Sequence, residues 1–106
     1  MKLELQKNNK MLAAMVLFDA ELREEVIMLM NLAEIKNYTQ FVGLHGSAEY
    51  GKKEGSVAWP GTNEILFILI SEIQFNQFKN QIVKYKQERQ PAPGIFLFCW
   101  PLADMV

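Results

Sequence analysis

The sequence has little of what dedicated chemistry usually requires. Its 106 residues include one cysteine and one histidine, so an intramolecular disulfide is impossible and His45 alone cannot build a mononuclear metal site. An excess of one charge is also missing. Eleven basic and 12 acidic residues leave a net charge of −1, without the basic surplus usual in a nucleic-acid binder. The longest apolar run, Met11–Phe18, falls far short of the ~20 residues that span a bilayer. Residues 1–10 contain no hydrophobic signal core, and a cytoplasmic location is expected. There is no internal repeat, no phosphate-binding P-loop and no dinucleotide fingerprint. Cys99 sits inside an apolar strand pattern without a basic neighbour to activate it, which predicts a buried, reduced thiol.

What the sequence does have is apolar residues in unbroken runs. Half of the chain is hydrophobic and 22% is charged, the balance of a folded domain, expected to cover 10–106 after a polar lead-in at 1–9. Met11–Phe18, Ile65–Ile70 and Ile95–Trp100 are apolar at every position. A strand with one wet face alternates, so these segments are predicted to leave water on both faces. Only two amphipathic helices are available to cover them. The first is expected at 20–34, with Asp19 as N-cap and Leu22, Val26, Leu29, Met30 and Ala33 on one face. The second opens on the capping-box pattern Ser71-x-x-Gln74, carries the stripe Phe75, Phe78, Ile82 and Tyr85, and stops before Pro91 and Pro93.

Tyr38–Leu44 and Gly94–Trp100 complete the order strand, helix, strand, strand, helix, strand. Right-handed crossovers then give an α+β, ferredoxin-like βαββαβ fold, a four-stranded antiparallel sheet with both helices on one face. Roughly eight large side chains would be left on the other face, worth ~12–24 kcal/mol gross if fully buried, against ~4–15 kcal/mol for association. Self-association is the expectation.

Residues 45–62 show no period and hold four glycines and Pro60; connections of this length tend to be functional. Tyr50, Lys52 and Lys53 make the segment either a solvated excursion or an arm that docks on an anionic ligand or partner. Trp59-Pro60-Gly61-Thr62 suits a type II turn that would fix Trp59 at the base. His45 reads as a polar or ligand-contacting residue, or as one of three symmetry-related ligands to an ion. Phe96, Phe98 and Trp100 alternate along the last strand, yet the basic-Gly-aromatic signature of an RNA-recognition motif is missing. Nothing assembles an acid, a base and a nucleophile, so an enzyme is not expected.

The order of elements, the long central connection and Ala58-Trp59-Pro60-Gly61-Thr62-Asn63 leading into Ile65–Ile70 resemble the PII-like signalling proteins over residues 10–102. Gly43-Leu44-His45-Gly46 resembles the start of their long loop, the T-loop. The resemblance implies a homotrimer with inward-packed sheets and small-molecule sites in the clefts between subunits. It also implies a T-loop that docks on a transporter or enzyme. The ligand would lie near Gly43, His45, Gly46, Trp59, Gly61 and Thr62, with Tyr50, Lys52 and Lys53 on the docking loop. The place of the lysine-bearing phosphate loop holds Gln90-Pro91-Ala92-Pro93-Gly94-Ile95, which leaves the cofactor unknown: a nucleotide, an anion or a metal. A CutA-like metal-binding trimer is the alternative. An amino-acid-binding regulatory domain shares the topology but usually has a tight hairpin in place of the long connection.

Overall fold

The computed structural model describes residues 10–44 and 62–106. Strand β1 (Met11–Asp19) leads through a single 3-10 turn at Ala20–Leu22 into helix α1 (Arg23–Leu32). Strands β2 (Thr39–Leu44) and β3 (Asn63–Ser71) follow, then helix α2 (Glu72–Gln87) and strand β4 (Ile95–Pro101). The sheet order is β2-β3-β1-β4 and every pairing is antiparallel. This is the expected ferredoxin-like arrangement. Boundaries move by a residue or two, and the first helix is shorter than 20–34 because its opening turn is 3-10 and the chain turns left-handed at Glu34.

Two of the unbroken apolar runs become the inner strands. β1 pairs with β3 from Met11↔Ser71 to Asp19↔Asn63, and with β4 from Leu12↔Pro101 to Phe18↔Ile95. Alternation along the strands sends Ala14, Val16 and Phe18 of β1, and Leu66, Ile68 and Ile70 of β3, to the side of the helices. There they pack with Val26, Leu29 and Met30 of α1 and Phe78, Ile82 and Tyr85 of α2. Both amphipathic stripes therefore face the core, as their spacing predicts.

The helix ends follow local chemistry. Asp19 Oδ1 accepts from the Glu21 N–H at 2.8 Å. Ser71 and Gln74 form the reciprocal capping box, with the Gln74 N–H donating to Ser71 Oγ at 3.1 Å and the Ser71 N–H donating to Gln74 Oε1 at 3.2 Å. α1 ends with Glu34 in the left-handed region at φ 61°, while the Ile35 N–H donates back to the Met30 carbonyl at 2.9 Å. The Gln74 side chain donates to the Glu34 carbonyl at 3.1 Å, tying the end of one helix to the start of the other.

Among the described residues, no helix covers the remaining face of the sheet. That face carries Met15 and Leu17 from β1, Ile65, Phe67 and Leu69 from β3, Phe41 from β2, and Phe96, Phe98 and Trp100 from β4. Phe98 is 52% exposed, Phe41 46% and Trp100 42%. The Phe67 and Trp100 rings lie 6.4 Å apart, and Ala13 between the flanking strands is buried. The aromatic stripe of β4 thus belongs to the open face, not to the helix-facing core.

Cys99 departs from expectation: it is exposed. It shares the helix-side parity of Ile95 and Leu97, and burial declines along that row from buried to half-buried to exposed. The far end of this edge strand runs out from beneath α2. Among the described residues, no helix is long and apolar enough to cross a membrane.

Candidate functional site

The end of the sheet where the chain leaves β2 and re-enters β3 is where the family resemblance implies a ligand. Gly43, the last residue but one of β2, has φ +68°, a backbone conformation that L side chains seldom adopt. The β2–β3 register shifts between Phe41 and Leu44, so a bulge turns the strand end at this glycine. A Cβ added to Gly43 would meet nothing within 4 Å, so the backbone, not crowding, requires glycine there. Thr62 lies at the return, and its carbonyl accepts from the Ala20 N–H at 3.0 Å, fastening the stem to the β1–α1 junction. His45, Gly46, Trp59 and Gly61, together with Tyr50, Lys52 and Lys53, lie outside the described residues. Of the expected ligand set, Gly43 and Thr62 are therefore placed, both at this end of the sheet.

Beside them is a polar cluster that the sequence reading did not select. Glu64, the second residue of β3, is 1% exposed and lies on the helix side. Arg23, the first residue of α1, clasps it: Nε donates to Oε1 at 2.9 Å and to Oε2 at 3.1 Å, and Nη2 also donates to Oε2. Gln40 on β2 donates its Nε2 to Glu64 Oε1 at 3.0 Å. One carboxylate thus joins α1, β2 and β3. The Arg23 hydrogen bonds hold the Glu64 carboxyl below its ordinary value, outweighing burial, which pushes it up; the Gln40 bond adds to the lowering. The Arg23 guanidinium is raised in return, chiefly by its hydrogen bonds to Glu64.

Asn63 precedes Glu64 and stands opposite Asp19 on β1 and Leu44 on β2. Its side chain is 2% exposed, and its Oδ1 has no hydrogen-bond partner among the described residues.

The connection between α2 and β4 returns to the same end. Lys86 Nζ donates to the Ile95 carbonyl at 2.8 Å and lies 5.1 Å from the centre of the Phe96 ring. Arg89 stacks 3.5 Å over the Tyr85 ring and donates Nη1 to the Tyr85 carbonyl at 3.1 Å. Lys86 thus reaches from α2 to β4, and Arg89 folds back onto the end of α2. No group of three or more potential metal-ligating side chains occurs among the described residues. Hollows lined by described residues include one of about 320 Å³ between α2 and β4 and one of about 380 Å³ between Lys10 and the residues after β4.

The parity of Glu64 was a usable signal. Counting back from Leu66 and Ile68 puts a carboxylate on the buried face, where a cation has to meet it. Which cation was not readable, because Arg23 is 41 residues away and sits among glutamates that look like a solvated helix face.

No family model matches the sequence, and no curated relative matches it. Solved structures do. CPII of Thiomonas intermedia K12, a nitrogen regulatory PII-like protein bound to ADP and bicarbonate, superposes with a TM-score of 0.61 at 14% identity, covering 89% of each chain. CPII bound to ADP, AMP and acetate gives 0.61 at 12% identity, with 89% of each chain covered. A protein of Thermus thermophilus assigned to PII-like signalling gives 0.58 at 13% identity over 87% of this chain and 85% of that one. The chain has the fold of the PII-like signalling proteins.

Proposed function

We propose that this chain is a PII-like regulatory protein, a binding module and not an enzyme. Three copies assemble with their helix-free faces inward. A small ligand occupies the cleft between copies at the sheet end that carries Gly43 and Thr62, with His45, Gly46, Trp59 and Gly61 completing the site. The segment that follows Gly43, with Tyr50, Lys52 and Lys53, docks on a partner protein when the ligand is bound.

The observation that carries this reading is the end-to-end likeness to CPII, a regulatory protein seen with ADP, AMP, acetate and bicarbonate. Two features of this chain support it. The helix-free face is apolar from strand to strand, and the stems of the candidate site are anchored by Thr62 and Glu64 to the start of α1. AMP, ADP, bicarbonate and acetate are accordingly the first ligands to test.

Light scattering is expected to give three times the 12.2 kDa chain mass at micromolar concentration. Thermal-shift titration with those four ligands is expected to stabilise the protein, and Gly43→Val to abolish the shift by straining the strand end. A stable monomer, or no shift with any of the four, refutes the reading.

A further inference from the structure

From the burial of Asn63 we infer that it is the specificity-determining residue of the candidate site, its Oδ1 accepting a hydrogen bond from an N–H of the ligand. This rests on the regulator reading above and names the ligand chemistry of the same site.

The residue is out of place by every local rule. Ile65, Phe67 and Leu69 share its face of β3, and a strand entering an apolar sheet would ordinarily continue that row. Instead a carboxamide stands there, 2% exposed, with an oxygen that no described group satisfies. Burying an acceptor without a donor is destabilising by about 1–3 kcal/mol, and native structures leave few such atoms. Local rules are broken in this way mostly where function repays the cost.

Position points the same way. Asn63 pairs across the sheet with Leu44, immediately after left-handed Gly43, and follows Thr62. It therefore lies beside Gly43 and Thr62, the described residues of the site proposed above. Its neighbours leave its acceptor unused: Asp19 Oδ1 is itself an acceptor, already engaged by the Glu21 N–H, and the Gln40 amide donates to Glu64. An amide oxygen cannot donate, so its complement must carry a donor. Among the ligands proposed above, the exocyclic amine of adenine is the N–H that meets it; bicarbonate and ribose carry O–H donors, and acetate carries none.

The decisive comparison uses AMP and purine riboside monophosphate, which differ by that amine. The wild-type trimer is expected to bind AMP about two- to tenfold more tightly, the range of one neutral hydrogen bond. Asn63→Leu, close in shape and without the acceptor, is expected to bind both at the weaker level. It should also keep the trimer mass and melt no lower than wild type, because a buried unpaired oxygen has been removed. A structural asparagine would give the opposite stability result. Equal wild-type affinity for the two nucleotides overturns the assignment and leaves the regulator reading standing. So does an Asn63→Leu protein that melts lower or loses the trimer. Binding of neither nucleotide by the wild type, with bicarbonate still bound, likewise overturns only the assignment; loss of all four ligands overturns both.

Discussion

Glu64 concentrates most of the electrostatic consequence of this fold in one side chain. Its carboxylate is buried, whereas its partner Arg23 is 51% exposed. Removing the two partners should therefore not cost the same. Arg23→Ala strands a charge in the interior and is expected to be the more destabilising of the two at neutral pH, read as the larger fall in urea midpoint. Glu64→Gln leaves a cation that water can reach, and about 1–2 kcal/mol is expected. Urea denaturation of the two variants checks the order. Because the Glu64 carboxyl is held below 4.5 in the folded chain, its contribution is present above that value and is lost as pH falls through the lowered one. Wild-type stability should drop on acidification below about pH 4.5, and Glu64→Gln should flatten that part of the profile.

At the scale of the element, the two helices show how ends are made with and without the preferred residue. α2 begins on a complete capping box. α1 ends on Glu34 at φ 61°, a conformation in which glycine carries no Cβ penalty. Buried Ile35 holds the motif in place from the next position. Glu34→Gly is expected to raise stability by up to about 1 kcal/mol, read as a higher urea midpoint with an unchanged slope. The Gln74 bond to the Glu34 carbonyl uses the backbone and survives the change. The strands were legible in the sequence to within a residue or two, because β1 and β3 carry apolar side chains on the helix-free face as well as on the helix-packed one, which makes their runs continuous. The capping box was legible for a similar reason: its partners are three residues apart. Cys99 was misjudged because apolar composition says nothing about where an edge strand outruns its helix. Asn63 and the Arg23–Glu64 clasp were missed because each depends on pairings fixed by the finished sheet. At the candidate site, only Gly43 and Thr62 of the selected residues could be placed.

For the whole molecule, the helix-free face sets the terms of assembly. Its side chains are already partly covered by one another; Phe98, Phe41 and Trp100 retain about half their exposure. At most half of the gross gain expected from full burial is then available, no more than about 6–12 kcal/mol, against an association cost of about 4–15 kcal/mol. Assembly through this face should accordingly depend on concentration, and Phe98→Asp, which puts a charge into its row of exposed aromatics on β4, should shift the population to monomers in sedimentation equilibrium.

The same face has a thermal consequence. Apart from Asp19 at its margin, the strand residues that point to it carry no charge. Ionic screening has almost nothing to act on there, so moderate sodium chloride should leave the assembly intact and sulfate should tighten it. Attraction between apolar surfaces fades on cooling. An assembly held together through such a face would loosen in the cold, and refrigeration, more than salt, would be the condition that takes it apart.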